Sequence, residues 1–450
     1  MAVLSDPSEV DRKFSPSLGI FANWRLHAYG YAIAAIYAAF LIAVYRAGTW
    51  LIDGAGVPVY SDFACAWAAA VQALHADAVA LYDPAEFAKI QAALVGPRDY
   101  FYPNWPYPPT FFLILAPFTA LPYRYGFIAW DIATLLGLIV VVYLIVRRLP
   151  AVALVLASPF TMWNFLAGQN GFLTGSLLGA SLLFLERQPV LAGVFIGLLT
   201  YKPQFGILLP VALAAARQWR AFASAAATAA IFAGLSIAVF GSDVWEALPR
   251  QLAAQTGEVL RAGGTDDPAA QWGYIQTVYG VVRDLHGGAA LAWLVQGTAT
   301  AGAAVIVWLV WRSSVRYALK AATLAAAALI ATPYAFAYDL AAIAVPAAFL
   351  ARDQMRHGYL RGEQAILTGL FGASLAVLVA FGDRPGGITF GSTPIGPLVV
   401  MALLGVIIRR VCCCVDTSWL PLKGDSRARE VVQRSRPDDA VDVEKTSVHE

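Results

Sequence analysis

The chain has 450 residues, of which 59% are hydrophobic and only 13% are charged, and its net charge is +2. An ordinary soluble protein carries about 25% charged residues, and a soluble core could not absorb this much apolar surface. The nearly neutral balance gives no indication of nucleic-acid binding. The composition therefore excludes an ordinary soluble protein and indicates an integral membrane protein.

Three apolar runs, which begin at Tyr31, Tyr125 and Ala221, are each about 20 residues long, enough to cross a bilayer core. About 30 polar or mixed residues precede the first run, so we expect it to remain as the first span. The pattern as a whole predicts an all-α polytopic membrane protein with about twelve transmembrane helices. We expect a cytoplasmic segment over 1–30, a transmembrane domain over 31–411 and a disordered cytoplasmic tail over 412–450.

Lysine and arginine cluster in a few short segments between the apolar runs, and the positive-inside rule assigns such segments to the cytoplasmic side. They lie at 11–25, 147–148, 187, 217–220, 312–320, 352–361 and from 409 onward. With these inside, both termini are cytoplasmic, and two long loops over 53–109 and 241–288 face outward. We expect a plasma membrane location, as in a bacterial inner membrane, with the polar motifs on the outer face.

Two parts of this trace leave alternatives open. The apolar stretch Thr110–Leu121 has only about a dozen residues and contains Pro117, so it either crosses the membrane or, as we favour, is re-entrant. The apolar segments on either side of Lys202-Pro203 are likewise short and interrupted.

The first external loop shows the signals of short surface helices. Asp83 is a helix N-cap, Pro84 suits the first helical position, and Glu86 completes a capping box. Gly96 is expected to end that helix, and an apolar helix is expected over Phe63–Leu74. Both helices should lie along the membrane surface.

Asp62 follows the first span and opens a predicted helix, which places its carboxylate near the membrane surface. A helix N-terminus favours the ionised form of an acid, as a general base requires. The alternative is an N-cap aspartate with no catalytic role.

Other polar or aromatic residues interrupt the apolar sequence. Tyr107, among prolines and aromatic residues, could form a wall for sugar or isoprenoid, or belong to an interfacial aromatic belt. Gln169 and Asn170 could bind hydroxyl groups or cap helices. Lys202 could bind phosphate or snorkel to the interface, and Asp339, near Tyr338, could pair with it.

These motifs, in this order, resemble glycosyltransferase family 87, whose members are polyprenol-phosphate-sugar-dependent enzymes with the GT-C fold. The matching motifs are Tyr60-Ser61-Asp62-Phe63, Leu81-Tyr82-Asp83, Tyr107-Pro108-Pro109, Gly168-Gln169-Asn170, Lys202-Pro203 and Tyr338-Asp339. One departure is that family members are expected to have a histidine between Pro333 and Asp339, where this chain has none.

The resemblance implies that Asp62 is the catalytic base and that the donor is a polyprenyl-phosphate-linked hexose, often mannose, transferred with inversion to a lipid or glycan acceptor. It implies no metal, and we expect no cofactor. The candidate phosphate ligands are Lys202, Arg250, Arg261 and Arg283, and the candidate sugar or acceptor ligands are Tyr107, Gln169, Asn170, Gln276, Thr277, Tyr338 and Asp339.

A transporter or flippase of a lipid-linked sugar is the main alternative, because many spans with buried charges also describe a transporter. Transporters often consist of two repeated halves, and no internal repeat is evident in this chain. We therefore favour the enzyme.

Overall fold

The computed structural model describes residues 14–15, 24–97, 105–262, 275–379 and 394–414, and most of these residues are helical. A short antiparallel pairing joins β1 (Phe14–Ser15) to β2 (Tyr359–Leu360), with Phe14 opposite Leu360. This pairing joins residues that are almost 350 positions apart in the chain.

The helices of the first half are α1 (Trp24–Arg46), α2 (Asp62–His75), α3 (Pro84–Val95), α4 (Thr110–Thr119), α5 (Tyr123–Val146), α6 (Pro150–Leu156), α7 (Pro159–Ala167), α8 (Gly171–Phe184), α9 (Pro189–Leu198) and α10 (Leu209–Ala215). Short 3₁₀ turns occur at Val79–Tyr82, Leu199–Tyr201 and Pro203–Gly206.

The helices of the second half are α11 (Trp219–Phe240), α12 (Asp243–Ala262), α13 (Val278–Asp284), α14 (Ala289–Arg312), α15 (Tyr317–Ala331), α16 (Ala344–His357), α17 (Glu363–Val379) and α18 (Gly396–Cys414). A 3₁₀ turn over Ala337–Ile343 leads into α16.

The two helices predicted in the first external loop are confirmed as α2 and α3. Asp83 caps α3, because its carboxylate accepts the backbone N–H groups of Ala85 at 2.9 Å and Glu86 at 3.0 Å. Gly96, with a φ of 85°, follows the last residue of α3. The all-α prediction is thus correct locally as well as overall.

The prediction of about twelve membrane spans is not confirmed. Among the described residues, five helices are long and apolar enough to cross a membrane, namely α1, α5, α11, α14 and α18, and the pair α6–α7, bent by 55°, could add a sixth. Glycine, proline and the Lys202-Pro203 break divide the remaining apolar sequence into shorter helices. These shorter apolar helices are Thr110–Thr119, Gly171–Phe184, Pro189–Tyr201, Pro203–Ala215 and Tyr317–Ala331.

Small residues bring α9 and α11 close together. A Cβ atom at Gly193 would come within 2.5 Å of Ser224, and one at Gly197 within 2.5 Å of Thr228. This is the small-xxx-small packing that membrane helices use, because lipid tails provide no hydrophobic drive between two apolar helices. The close approach fixes α11 beside the 3₁₀ turns that follow α9.

The bundle has two chemically different ends. At one end, the hydroxyl of Tyr123, at the start of α5, contacts that of Ser61 at 3.3 Å, next to Asp62. At the other end of α5 lie Arg147 and Arg148. Lysine and arginine also cluster near the end of α8, which packs on α5. Lys320 and Arg352 lie near Glu186, next to Arg187, and Arg316 and Arg410 both bind Asp353.

A buried ion network joins the helices at the basic end. Arg410, 1% exposed, donates to Glu363 at 2.7 Å and to Asp353 at 2.9 Å, and Asp353 also accepts from Arg316 at 2.6 Å. Removing one member of such a network would leave a buried charge without compensation. Some of the basic residues from which we predicted the topology therefore also hold α16, α17 and α18 together.

The short helix α4 bears on the choice between a crossing and a re-entrant segment. Its 10 residues extend only about 15 Å, half the thickness of a bilayer core. Phe118 packs edge-to-face on Trp130 of α5 with 5.2 Å between ring centroids. The hairpin of α4 and α5 agrees with the re-entrant interpretation, which stays a prediction.

The two ends of α5 provide a test of orientation. In a variant without native cysteines, Arg124→Cys should react with a membrane-impermeant maleimide added to intact cells, whereas Arg148→Cys should react only after permeabilisation. The reason is that α5, with 24 residues, is about 36 Å long and its basic end is expected inside. Labelling of Arg148→Cys in intact cells, with Arg124→Cys protected, would reverse the proposed orientation.

Candidate functional site

Asp62 is the first residue of α2, but it is not the helix cap. The N-cap is Ser61, whose hydroxyl accepts the N–H of Ala64 at 3.2 Å. The carboxylate of Asp62 is half-buried and accepts a hydrogen bond from the side-chain amide of Gln169 at 3.0 Å. Asp62 is therefore not the N-cap of α2, and the alternative interpretation of Asp62 as a capping residue is wrong.

Gln169 lies in a tight turn between α7 and α8. Gly168 ends α7 with a φ of 66°, a conformation that favours glycine. The backbone carbonyl of Gln169 accepts from Asn164 at 2.9 Å and from the indole of Trp130 at 3.3 Å. These bonds fix the backbone of the turn, so the Gln169 side chain is held towards Asp62.

The second glycine of this turn permits a very close approach. A Cβ atom at Gly171 would overlap the backbone carbonyl of Tyr338 and would lie 2.7 Å from the side-chain oxygen of Asn164. Gly171 therefore lets the start of α8 contact the 3₁₀ turn that contains Tyr338 and Asp339. This contact brings two distant parts of the sequence into one site.

Lys202 is buried, 3% exposed, at the break between two 3₁₀ turns. Its ammonium group donates to the side-chain oxygen of Asn170 at 2.7 Å and to Asp339 at 2.5 Å. The rings of Phe205 and Tyr338 surround it, with centroids 5.3 and 5.5 Å from Nζ. Lys202 is thus paired inside the protein and does not snorkel to the interface.

Asp339 and Gln169 complete a continuous polar chain. The second oxygen of Asp339 accepts the N–H of Phe336 at 3.1 Å, and the side-chain oxygen of Gln169 accepts the N–H of Asn170 at 3.1 Å. The chain leads from the half-buried Asp62 through Gln169 and Asn170 to Lys202 and then to Asp339. An acid and a cation therefore stand at different points of one fixed network.

Tyr107 lies beside this chain. Its hydroxyl donates to the side-chain oxygen of Gln169 at 3.4 Å, and its ring packs at 4.7 Å from that of Phe111. Burial, together with the nearby carboxylate of Asp339, raises the pKa of Tyr107 well above its usual range. The phenol therefore stays protonated and can act as a hydrogen-bond donor.

A cavity of about 790 Å³ opens beside Lys202. Tyr107, Lys202, Tyr338 and Asp339 form its polar end. Its remaining walls are mainly apolar or aromatic and come from α11, α12, α14 and the turn before α16: Ala229, Ala233, Trp245, Leu248, Leu252, Trp293, Tyr334 and Phe336. The cavity has the size of ordinary ligand sites, and apolar and aromatic residues outnumber the polar ones in its lining.

The apolar wall contributed by α12 was not identified from the sequence. Trp245, Leu248 and Leu252 are spaced by three and four residues, so they share one face of α12 and line the cavity together. The same spacing in the sequence could have identified them. The loop expected over 241–288 thus contributes a helix to the wall of the cavity.

Two of the other basic candidates, Arg250 and Arg283, do not line this cavity. Arg250 is exposed and pairs with Glu246 at 3.2 Å, and the side chain of Arg261 lies outside the described residues. Arg283 is buried and donates to the carbonyl of Gly287 at 3.0 Å. Of the three basic candidates whose side chains are described, Lys202 alone joins the polar chain.

Gln276 and Thr277 make contacts that support the fold. Gln276 accepts the N–H of Gly396 at 2.9 Å, and Thr277 caps α13 by accepting the N–H of Gly280 at 3.1 Å. Asp131 is buried in α5, and neither of its carboxylate oxygens has a hydrogen-bond partner within the described residues.

Comparison with known protein families identifies a match. The model of glycosyltransferase family 87 matches residues 105–333, about half of the chain. No curated protein and no solved structure matches the chain. The matched range contains Tyr107, Gln169, Asn170 and Lys202, whereas Asp62 and Asp339 lie outside it, so their place in the site rests on geometry.

The addition of one methyl group at Gly171 tests the role of this residue in assembling the site. Gly171→Ala should reduce both activity and thermal stability, because its Cβ would push α8 away from Tyr338. Gly206→Ala is the matched control, since its Cβ would meet only Leu209 at an ordinary 3.9 Å. Thermal unfolding in detergent should show a lower Tm for Gly171→Ala only, and equal values for both variants would contradict this packing.

Proposed function

Because this chain belongs to glycosyltransferase family 87, we propose that it transfers a hexose, with mannose as the first candidate, from a polyprenyl-phosphate donor to a lipid or glycan acceptor. The observation that carries this proposal is the polar chain from Asp62 to Lys202, which reaches a cavity whose walls are mainly apolar or aromatic. A general base and a cation for a leaving phosphate are the groups that inverting transfer requires.

The cavity suits a donor that is part lipid. Ala229 and Ala233 lie in α11, which is long and apolar enough to be a membrane span, so the apolar wall extends to membrane depth. A polyprenyl chain could follow this wall while its phosphate lies near Lys202. Tyr107 and Tyr338, at the polar end, are the candidates for contact with the sugar ring.

Asp62 is a better candidate for the base than Asp339. Asp339 is 1% exposed, and its two oxygens accept from Lys202 and from the N–H of Phe336. Asp62 is half-buried and lies at the far end of the polar chain from Lys202, the member of the chain that lines the cavity together with Asp339. An acceptor could therefore approach Asp62 from the side opposite the donor phosphate.

In the proposed reaction, the acceptor oxygen forms a bond to the anomeric carbon as the bond from that carbon to the donor phosphate oxygen breaks. The hydroxyl proton passes to Asp62, and polyprenyl phosphate leaves with the electron pair. Attack and departure on opposite faces invert the anomeric centre. Gln169 holds the Asp62 carboxylate, because its amide donates to one of the two oxygens.

Lys202 would stabilise the charge that develops on the phosphate. Its ammonium group has three N–H donors, of which two bind Asn170 and Asp339, and it lines the cavity where the third can point. Asp339 offsets its charge, so the lysine can stay ionised in a buried place before the donor binds.

We place the reaction on the non-cytoplasmic face. The polar chain lies at the end of the bundle opposite the one where arginine and lysine cluster, and the positive-inside rule assigns that basic end to the cytoplasm.

Asp62→Asn should remove the base while preserving the size of the side chain and its contact with Gln169. We expect transfer of labelled hexose from a polyprenyl-phosphate donor to fall by at least about 10²-fold, the usual contribution of a general base. Donor binding and Tm should change little. The matched control is Asp83→Asn in the same loop, where asparagine can still cap α3.

Transfer by Asp62→Asn at the parental rate would exclude Asp62 as the base and leave Asp339 as the next candidate. A loss of the same size in Asp83→Asn would instead show that the assay reports on folding of the loop.

Substitutions can distinguish a role of Lys202 in donor binding from a purely structural role in an ion pair. Lys202→Ala should raise the KM for the donor by at least about tenfold, as expected for a lost charged hydrogen bond, and should affect the acceptor less. Lys202→Arg should retain part of the activity because the charge remains. Asp339→Asn should also raise the donor KM, because the buried lysine loses the partner that keeps it ionised.

If Lys202→Ala and Asp339→Asn both lower stability without changing the dependence on donor concentration, Lys202 is only a structural ion-pair partner.

A further inference from the structure

A second cavity of about 460 Å³ lies between α1 and α5, away from the site described above. Its walls include Leu41 and Ile42 from α1, Ile128 from α5 and Phe165 from α7. The helices α1 and α5 are both candidate membrane spans, so this groove lies at membrane depth. Apolar walls of this kind suit acyl chains.

One end of the groove is amphipathic. Tyr45, Trp50 and Tyr125 line it there, and aromatic residues of this type are enriched where a membrane meets water. Arg124 also lines this end. The groove therefore combines apolar walls, which suit acyl chains, with aromatic and cationic side chains at one end, which suit a lipid headgroup.

The guanidinium of Arg124 contacts an aromatic side chain, and none of its partners among the described residues is an acid. Its guanidinium donates to the hydroxyl of Tyr125 at 2.8 Å and lies 4.6 Å from that ring. In the described part of the chain, no carboxylate forms an ion pair with it. Arg124 is also in the first turn of α5, where free backbone N–H groups add positive potential.

From these features we infer that the groove binds a bilayer phospholipid of net negative charge, with its phosphate at Arg124 and its acyl chains between α1 and α5. Arginine suits a phosphate because its planar fork can donate two hydrogen bonds. The proposal does not depend on the proposed function, since it concerns another surface and is tested by lipid binding.

Trp50 lines the groove and also supports the turn that contains Gln169. The indole N–H of Trp50 donates to the carbonyl of Leu166 at 3.1 Å, and the Trp50 ring packs on Phe127 with 5.7 Å between centroids. A Cβ at Gly168 would lie 2.8 Å from Phe127, so this ring also contacts the turn. A lipid seated against Trp50 would therefore restrict movement of the turn that holds Asp62.

The experiment measures binding of defined lipids to the purified full-length chain by native mass spectrometry in detergent. Phosphatidylglycerol should bind with one-to-one stoichiometry and several-fold more tightly than zwitterionic phosphatidylcholine. Arg124→Gln should weaken phosphatidylglycerol binding by about fivefold, as expected for one arginine near an anionic surface. Ile128→Trp, which fills the groove, should reduce binding of both lipids.

Arg312→Gln is the matched control. Arg312 also ends a candidate span and lies over an aromatic ring, 5.5 Å from the centroid of Trp308, but it is far from the groove in the sequence and does not line it. Its loss should leave phosphatidylglycerol binding unchanged.

Three results would overturn the proposal. One is equal binding of the two lipids, and another is equal weakening by Arg124→Gln and Arg312→Gln, which would indicate general electrostatic attraction. The third is displacement of the lipid by millimolar inorganic phosphate, which would indicate a site for free phosphate. None of these outcomes bears on whether Asp62 is a catalytic base.

Discussion

The site depends on one constraint, the burial of a lysine in an apolar bundle. A charged group at membrane depth is costly unless a partner compensates it. Lys202 meets this requirement through Asp339, which comes from a turn 137 residues later, and through Asn170. The hydrogen bonds of one ammonium group therefore join three parts of the chain. The hydrogen bonds from Asn170 to Gln169 and from Gln169 to Asp62 connect Asp62 to the same network.

Interruptions of the helices make this convergence possible. The turn at Gly168, the 3₁₀ turns around Lys202 and the 3₁₀ turn before α16 each place polar groups where a continuous helix would have apolar ones. Irregular backbone at membrane depth is tolerated only where protein or a cavity surrounds it. The same interruptions explain why fewer long helices are present than the count of apolar runs suggested.

Local signals were reliable where a few adjacent residues decide the structure. The cap at Asp83 and the break at Lys202-Pro203 follow from side-chain hydrogen bonding and from the missing N–H of proline. The role of Asp62 at its helix was predicted less well, since Ser61 is the cap. Two adjacent residues can both serve as caps, and only the backbone conformation decides between them.

The sequence by itself determined that this chain is a helical membrane protein with the motifs of glycosyltransferase family 87, because composition and local motifs are independent of distant contacts. Only the tertiary structure decided which polar residues act together. It joined Lys202 to Asp339 and Asp62 to Gln169, but it gave Thr277 a capping role and placed Arg250 at the surface. Such partnerships depend on how helices pack, and helix packing arises from contacts between residues far apart in the chain.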